Sequence, residues 1–237
     1  MTKSSGNFLA SFLDFILSLF KKKEPAPAPA PAPPAVLPDS ANEPAAITTS
    51  KVMLIIYDPT MEDGQKLSQK MNWHRPEDLV TAYAADILEH SHGMARCQIV
   101  ERTTLDEFPV KTDGYRYTPQ AYLDVLRGAA QPHVPQDADY GAILARFDIL
   151  SKISRGDINE VWVFAFPYAG FYESSMGGAG AFWCNAPPLK NTEQCPRRFV
   201  VMGFNYERYV GEMLEAFGHR AESILSKKKK KLTGDSN

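Results

Sequence analysis

Three short stretches of this 237-residue chain are almost entirely apolar and rich in branched or aromatic side chains: 52–57, 161–166 and 199–202. Continuous apolar runs of this length are typical of strands that are buried on both faces of a sheet. A fourth, shorter strand is predicted at 97–102. The pattern therefore predicts a sheet of four strands, most of them in its interior.

Between the predicted strands, apolar residues recur every three or four positions, which is the spacing of amphipathic helices. The predicted helices begin near Pro76, Thr118, Tyr140 and Tyr209. Strands that are separated by helices need crossover connections, and these give a mainly parallel sheet. We therefore predict a three-layer α/β domain over residues 51–226, with flanking helices and a long glycine- and aromatic-rich loop before the last strand.

The N-terminal segment, residues 1–23, has a different character. Residues 8–20 are mostly apolar and are followed at once by three lysines. As a helix this run is about 20 Å long, whereas the hydrocarbon core of a bilayer is roughly 30 Å thick. An uncleaved signal anchor, a cleaved signal peptide and an interfacial helix all fit the segment, and its length and narrow polar stripe favour the interfacial helix. We expect residues 1–23 to associate with a membrane.

Composition sets two further segments apart. Residues 24–50 are predicted to form a Pro/Ala-rich linker, in which the Pro-Ala repeat at 25–34 forms a stiff, extended arm of about 30 Å. Residues 227–237 begin with five lysines and are predicted to form a disordered tail. Over the whole chain, 26 basic residues are balanced by 28 acidic ones, so the charge does not indicate a nucleic-acid-binding protein.

A first set of candidate site residues lies at the predicted strand ends and in the long loop. Ligands of open α/β sheets usually bind at the carboxyl ends of the strands, and carboxylates beside aromatic rings suit glycan binding or glycoside hydrolysis. The candidates for binding a glycan or a peptide are Asp58, Tyr168, Tyr172, Glu173, Trp183, Asn185, Asn205 and Glu207. The alternative is structural: Asp58 and Asn205 cap turns, and Glu207 neutralises a helix N-terminus.

The predicted final helix has an acidic and imidazole face. Its four residues follow one another at steps of three, four and three and share a sector of roughly 80°: Glu212, Glu215, His219 and Glu222. Such groups on successive turns can converge on a divalent metal such as zinc. We assign the catalytic roles to His219 and Glu222, with Glu173 and Asn205 in support. The alternative is a solvated helix face opposite the apolar stripe.

Cys184 and Cys195 enclose a loop of ten residues. A disulfide, two reduced thiols and a pair of metal ligands are all open, and we expect the disulfide, which would add roughly 2.5–3 kcal/mol of stability. A disulfide would place the domain on the extracytoplasmic side. The lysines at 21–23 would favour the cytoplasm for the segment after a spanning helix. We give the cysteines more weight and expect an extracytoplasmic domain.

Two resemblances add to this interpretation. The stretch Glu215–His219 is similar to the zinc-peptidase helix His-Glu-x-x-His, but Glu215 replaces the first histidine and Ala216 replaces the general base. The region 51–225 resembles an uncharacterised family of secreted or surface bacterial proteins. The stretches that carry this resemblance are Phe171–Ser174, Gly180–Asn185, Pro187–Leu189, Gly203–Glu207, Gly211–Leu214 and Gly218–Ser223. The family implies a secreted or surface location and no particular activity.

Together these features predict a membrane-tethered, extracytoplasmic α/β domain with a hydrolase-like site that acts on cell-envelope glycan or peptide, with or without a divalent metal. The alternative is a non-catalytic surface domain for adhesion, scaffolding or glycan binding. The choice depends on whether the final helix turns His219 toward the long loop or toward bulk water.

Overall fold

Five strands form a single sheet in a computed structural model that describes residues 47–233. They are β1 (Thr48–Tyr57), β2 (Ala95–Leu105), β3 (Glu160–Ala165), β4 (Ser174–Gly177) and β5 (Phe199–Asn205). Their order across the sheet is β2-β1-β3-β5-β4. The pairs β1–β2, β1–β3 and β3–β5 are parallel, and β4 pairs antiparallel with β5 at one edge. The predicted mainly parallel, three-layer α/β fold is confirmed.

Local sequence signals start several of the helices. Pro76 and Pro119 stand at first helical positions, where the fixed φ of proline suits the helix and its missing N–H is not needed. Thr118 caps the helix that begins at Pro119, and Asp139 caps the helix that begins at Tyr140. Each side chain accepts a hydrogen bond from the backbone N–H three residues further on. The helices are α1 (Leu67–Lys70), α2 (Pro76–His90), α3 (Pro119–Leu126), α4 (Tyr140–Arg146), α5 (Ile149–Arg155) and α6 (Val210–Thr233).

The core lies around β1 and β3, whose residues 52–57 and 160–165 are all buried. Glu160 is the charged exception in these runs. Its carboxylate accepts hydrogen bonds from both terminal nitrogens of Arg220, at 2.7 and 2.9 Å, and from Trp162 Nε1 at 2.6 Å. Because a buried carboxylate requires such partners, this ion pair fixes α6 against the sheet.

The ends of the domain differ from the sequence prediction. Strand β1 begins at Thr48, before the predicted domain start at residue 51. Helix α6 runs to Thr233, through all five lysines of the segment that was predicted to be disordered. Lysine is a good helix former, so the run does not end the helix. The predictions for residues 1–46 and 234–237 lie outside the described residues. Within residues 47–233, no helix combines the length and the apolar character of a membrane span.

Candidate functional site

Three of the predicted site residues meet between α6 and the long loop. His219 Nδ1 lies 3.1 Å from Glu173 Oε2, and the Asn185 amide donates to the same carboxylate oxygen at 2.5 Å. The side chains of His219 and Glu173 are 42% and 47% exposed, so both are accessible to a ligand. The final helix thus turns its imidazole toward the loop, while the contact itself is made with one carboxylate and one amide.

Each of the three side chains is placed by a specific local structure. Glu173 precedes β4, and its carbonyl accepts a hydrogen bond from Gly203 of β5 at 3.2 Å. A Cβ atom at Gly203 would come within 2.4 Å of the Tyr172 carbonyl oxygen, so only glycine allows this approach. Asn185 has a φ of +59°, a left-handed conformation that asparagine tolerates better than most residues. His219 is held by its neighbour Arg220 through the buried ion pair.

The geometry defines the chemistry that His219 can perform. A carboxylate at Nδ1 holds the imidazole in the tautomer with a proton on Nδ1 and orients the ring. The other nitrogen, Nε2, then carries a lone pair that can take a proton from a hydroxyl group or from water. Glu173 already accepts hydrogen bonds from two side chains on one oxygen, so its role in this arrangement is to position the imidazole.

A groove of about 360 Å³ extends along α6, and its helical wall begins at Glu222, about one turn after His219. It is lined by Phe182, Trp183, Glu222, Ser223, Ser226 and Lys227. Trp183 is 61% exposed, which is unusual for the largest apolar side chain. The groove therefore has an aromatic wall from the loop and a polar wall from the helix.

Asp58, directly after β1, has a structural role, which was the alternative to ligand binding. It is 9% exposed, and its two oxygens accept from the Ser68 backbone N–H at 3.0 Å and the Ser68 hydroxyl at 2.8 Å. The Tyr206 hydroxyl lies 3.4 Å from one of these oxygens. Asp58 therefore fastens α1 to the sheet.

Asn205 and Glu207 form a local turn after β5. The Asn205 side-chain oxygen accepts from the Glu207 backbone N–H at 3.0 Å, and its amide lies 3.5 Å from the Glu207 carboxylate. These bonds are those of a side chain that closes its own turn. Neither residue contacts the His219–Glu173 pair by a hydrogen bond in the described structure.

The segment that carries Tyr168 and Tyr172 is fastened by Lys111, which sequence reasoning missed. Lys111 is 1% exposed, and its ammonium group donates to the carbonyls of Gln136, Tyr168 and Ala169 at 2.6, 2.6 and 2.9 Å. Desolvation lowers the pKa of Lys111 to about 8. The sequence does not indicate that Lys111 is buried, because lysine side chains are rarely buried and a single lysine in a connection is expected to be exposed.

Tyr168 and Tyr172 keep their rings exposed while their backbones are ordered. The Tyr172 backbone N–H donates to the Tyr140 hydroxyl at 2.8 Å, and Tyr168 has a φ of +62° that its carbonyl bond to Lys111 supports. Both tyrosines precede Glu173 in the sequence. They stay candidates for ligand contact.

The proposed metal set stays a prediction. Glu212, Glu215 and Glu222 are exposed on α6, and only His219 of the four has a hydrogen-bonded partner from the loop. Within the described residues, no group of three or more histidine, cysteine, aspartate or glutamate side chains is placed to hold a metal ion. The contact between His219 and Glu173 does not involve the other three residues of that set.

The predicted Cys184–Cys195 disulfide is wrong, because both residues are free, buried thiols. Cys184 Sγ lies 3.7 Å from the Ser174 hydroxyl, whereas Cys195 Sγ donates to the Arg197 carbonyl at 3.3 Å. Each sulfur is directed to a different partner, although the two cysteines are close in sequence. Burial raises the pKa of the Cys184 thiol, so it is poorly reactive.

A second imidazole–carboxylate pair was also missed. His133 Nε2 lies 2.8 Å from Asp113 Oδ2, and the Tyr115 ring stacks on the imidazole at 3.8 Å and 12°. A backbone hydrogen bond from Tyr115 and the bond with His133 lower the pKa of Asp113. The residues are 20 positions apart, so no sequence motif joins them. The pair ties together two loops.

Comparison of the chain with protein-family models, with curated proteins and with solved structures gives no match. The resemblances noted in the sequence therefore stay predictions.

Proposed function

We propose that this protein is a hydrolase that cleaves carboxylic esters on a glycan, with His219 as the general base. The contact between His219 Nδ1 and Glu173 Oε2 carries the proposal, together with the bond from Asn185 that fixes the same carboxylate. An imidazole oriented in this way can deprotonate an attacking hydroxyl and return the proton to the leaving alkoxide.

An ester fits this site better than a glycosidic bond. Glycoside hydrolysis normally needs two carboxyl groups that flank the bond, one as acid and one as base or nucleophile. Here Glu173 is occupied by two side chains, the group next to it is an imidazole, and Glu222 is the single carboxylate in the groove lining. Base-assisted attack on a carbonyl carbon needs only one such imidazole, and an alcohol leaves more easily than an amine.

The aromatic wall of the groove supports a sugar as the carrier of the ester. Exposed aromatic rings bind the apolar faces of sugar rings while their edges stay hydrated. Trp183 is the most exposed aromatic residue of this wall, and Phe182 lies next to it under the Arg198 guanidinium at 5.7 Å. A peptide would instead be expected to pair with strand edges, whereas this groove is bounded by a helix and a loop.

Membrane association through residues 1–23 is part of the proposal, since the apolar run and the lysines that follow it support it. The expectation of an extracytoplasmic domain depended on the disulfide. Both cysteines are free thiols, which removes the reason for that expectation, and we propose membrane association alone.

The proposal is tested by acetate release from acetylated oligosaccharides by the purified full-length chain. We expect His219→Ala to lower kcat/KM by at least about 100-fold, the usual contribution of a general base. His90→Ala, a change of the same kind at an exposed helix end, should leave the rate unchanged. Equal rates for the wild type and His219→Ala, or no release by either protein, would overturn the proposal.

Glu173 is tested separately as a positioning residue. Glu173→Gln should lower kcat with little change in KM and should alter the dependence of kcat on pH, because the imidazole loses its charged partner. Glu173→Asp should restore part of the rate. A purely structural role would lower the melting temperature without moving the pH profile.

The exposed Trp183 favours a second candidate function, glycan binding without catalysis. In that case Trp183→Ala would abolish oligosaccharide binding in calorimetry, while His219→Ala would retain it and no acetate would be released.

A further inference from the structure

We infer that Ser223 is the nucleophile of this site and that the ester is cleaved through an acyl-enzyme on its hydroxyl. The inference rests on the proposed function and names the group that His219 deprotonates. Ser223 lines the groove, and it follows His219 by four residues on α6. Side chains four apart on a helix are neighbours, with about 5–6 Å between their Cβ atoms.

His219 and Ser223 lie on the same face of α6, one above the other on successive turns, because both side chains project from the helix in the same direction. The imidazole is held by Glu173 through Nδ1, which leaves Nε2 for a second contact. The carboxylate and the imidazole are in contact, and the Ser223 hydroxyl lies one helical turn further along α6, in the groove wall.

The Ser223 hydroxyl is also free to react. Helical serines and threonines often donate to the carbonyl four residues earlier. Ser154 and Thr81 do so here, at 2.7 and 2.9 Å. Within the described residues, no hydrogen bond engages the Ser223 hydroxyl, that of His219 included, and the residue is half-buried in the groove wall. The contact with Nε2 therefore forms when the ester binds.

Lys227 completes the arrangement one turn further along the helix. It lines the same groove, four residues after Ser223. An ammonium group near the attacked carbonyl stabilises the negative charge that develops on its oxygen. His219, Ser223 and Lys227 therefore place a base, a nucleophile and a cation on three successive turns of α6.

The reaction balances with water as the only co-reactant. The Ser223 oxygen bonds to the carbonyl carbon of the ester as its proton passes to His219 Nε2. The carbon–oxygen bond to the sugar then breaks, and the alkoxide takes this proton and leaves as the sugar alcohol. Water repeats the attack, and the acid departs as Ser223 regains its proton.

A biotinylated fluorophosphonate tests the inference on the full-length chain, since it phosphonylates an activated serine with loss of fluoride. We expect mass spectrometry to place the label on Ser223 and expect His219→Ala to slow labelling by at least about 100-fold. Ser223→Ala should lose both labelling and acetate release while it keeps the wild-type circular dichroism spectrum. Ser151→Ala, at a half-buried serine of α5, is the matched control and should behave as wild type.

Two results would overturn the inference in different ways. If Ser223→Ala releases acetate at the wild-type rate while His219→Ala does not, water is the nucleophile and only the role of Ser223 fails. If the wild-type chain neither releases acetate nor takes the label, the role of Ser223 and the proposed hydrolase function fail together.

Discussion

Lys111 is almost completely buried. Each of its three ammonium hydrogens has a backbone acceptor, and these acceptors are the carbonyls of Gln136, Tyr168 and Ala169. These carbonyls belong to two separate loops, so one side chain replaces the hydrogen bonds that a strand would have supplied. Gly170 shows how closely the loops approach, because a Cβ atom there would lie 2.1 Å from the Gln136 carbonyl oxygen.

Lys111→Met keeps the apolar stem but removes the three donors. We expect the free energy of unfolding in urea to fall by about 3 kcal/mol or more, since each buried carbonyl without a partner costs about 1–3 kcal/mol. Lys190→Met, at an exposed position, should change it by less than about 0.5 kcal/mol. A loss below about 1 kcal/mol for Lys111→Met would show that water replaces the ammonium group.

At the scale of elements, the position of α6 depends on the Glu160–Arg220 pair. Burial alone would raise the pKa of the Glu160 carboxyl. The charge and hydrogen bonds of Arg220 outweigh this and lower the pKa overall. Glu160 begins β3 in the centre of the sheet, and Arg220 follows His219 directly. The buried pair therefore sets both the depth and the rotation of the helix that carries the site.

Arg220→Ala leaves the Glu160 carboxylate buried without its partner. We expect a loss of about 3–5 kcal/mol in urea unfolding, the usual cost of breaking a buried ion pair from one side. The exposed Arg208→Ala is the matched control. The double variant Glu160→Gln, Arg220→Met should be more stable than Arg220→Ala, because no buried charge remains. If the single and double variants were equally unstable, lost packing rather than the unpaired charge would be the cause.

The elements differ in how far the sequence determined them. The interiors of β1, β3 and β5 were predicted because continuous apolar runs have few other solutions. Strand β4 was not predicted, because Ser174–Gly177 is short and contains one large apolar residue. Its pairing with β5 makes this segment a strand. Periodicity placed His219 on the polar face of α6. Only tertiary packing decided that this face meets Glu173.

At the scale of the whole molecule, the candidate site lies away from the usual ligand position of this sheet type. The strand order reverses at β1, between β2 and β3, and ligands of such sheets commonly bind at the carboxyl ends beside this point. Here the end of β1 leads into Asp58, which holds α1, and the segment after β3 is fastened by Lys111. The candidate site instead lies between the N-terminal end of the antiparallel strand β4 and helix α6.

The titration of Lys111 and Cys97 should give the domain a distinct alkaline stability profile. The pKa of Lys111 is about 8 in the folded state and 10.5 in the unfolded chain, so above pH 8 the unfolded state binds more protons. Stability then rises with pH, by about 1 kcal/mol between pH 8 and pH 9. Cys97 acts oppositely: burial raises its pKa from 9.0 to about 12, so the folded state keeps a proton that the unfolded state loses above pH 9.

We therefore expect the free energy of unfolding in urea to increase from pH 8 to pH 9 and to level off or fall above pH 9. The rise should be absent in Lys111→Met, and Cys97→Ser should weaken the decline at higher pH. Each variant serves as the control for the other, because the two groups titrate over different ranges. A wild-type stability that falls between pH 8 and pH 9 would mean that the three carbonyls hold the Lys111 proton more strongly than desolvation expels it.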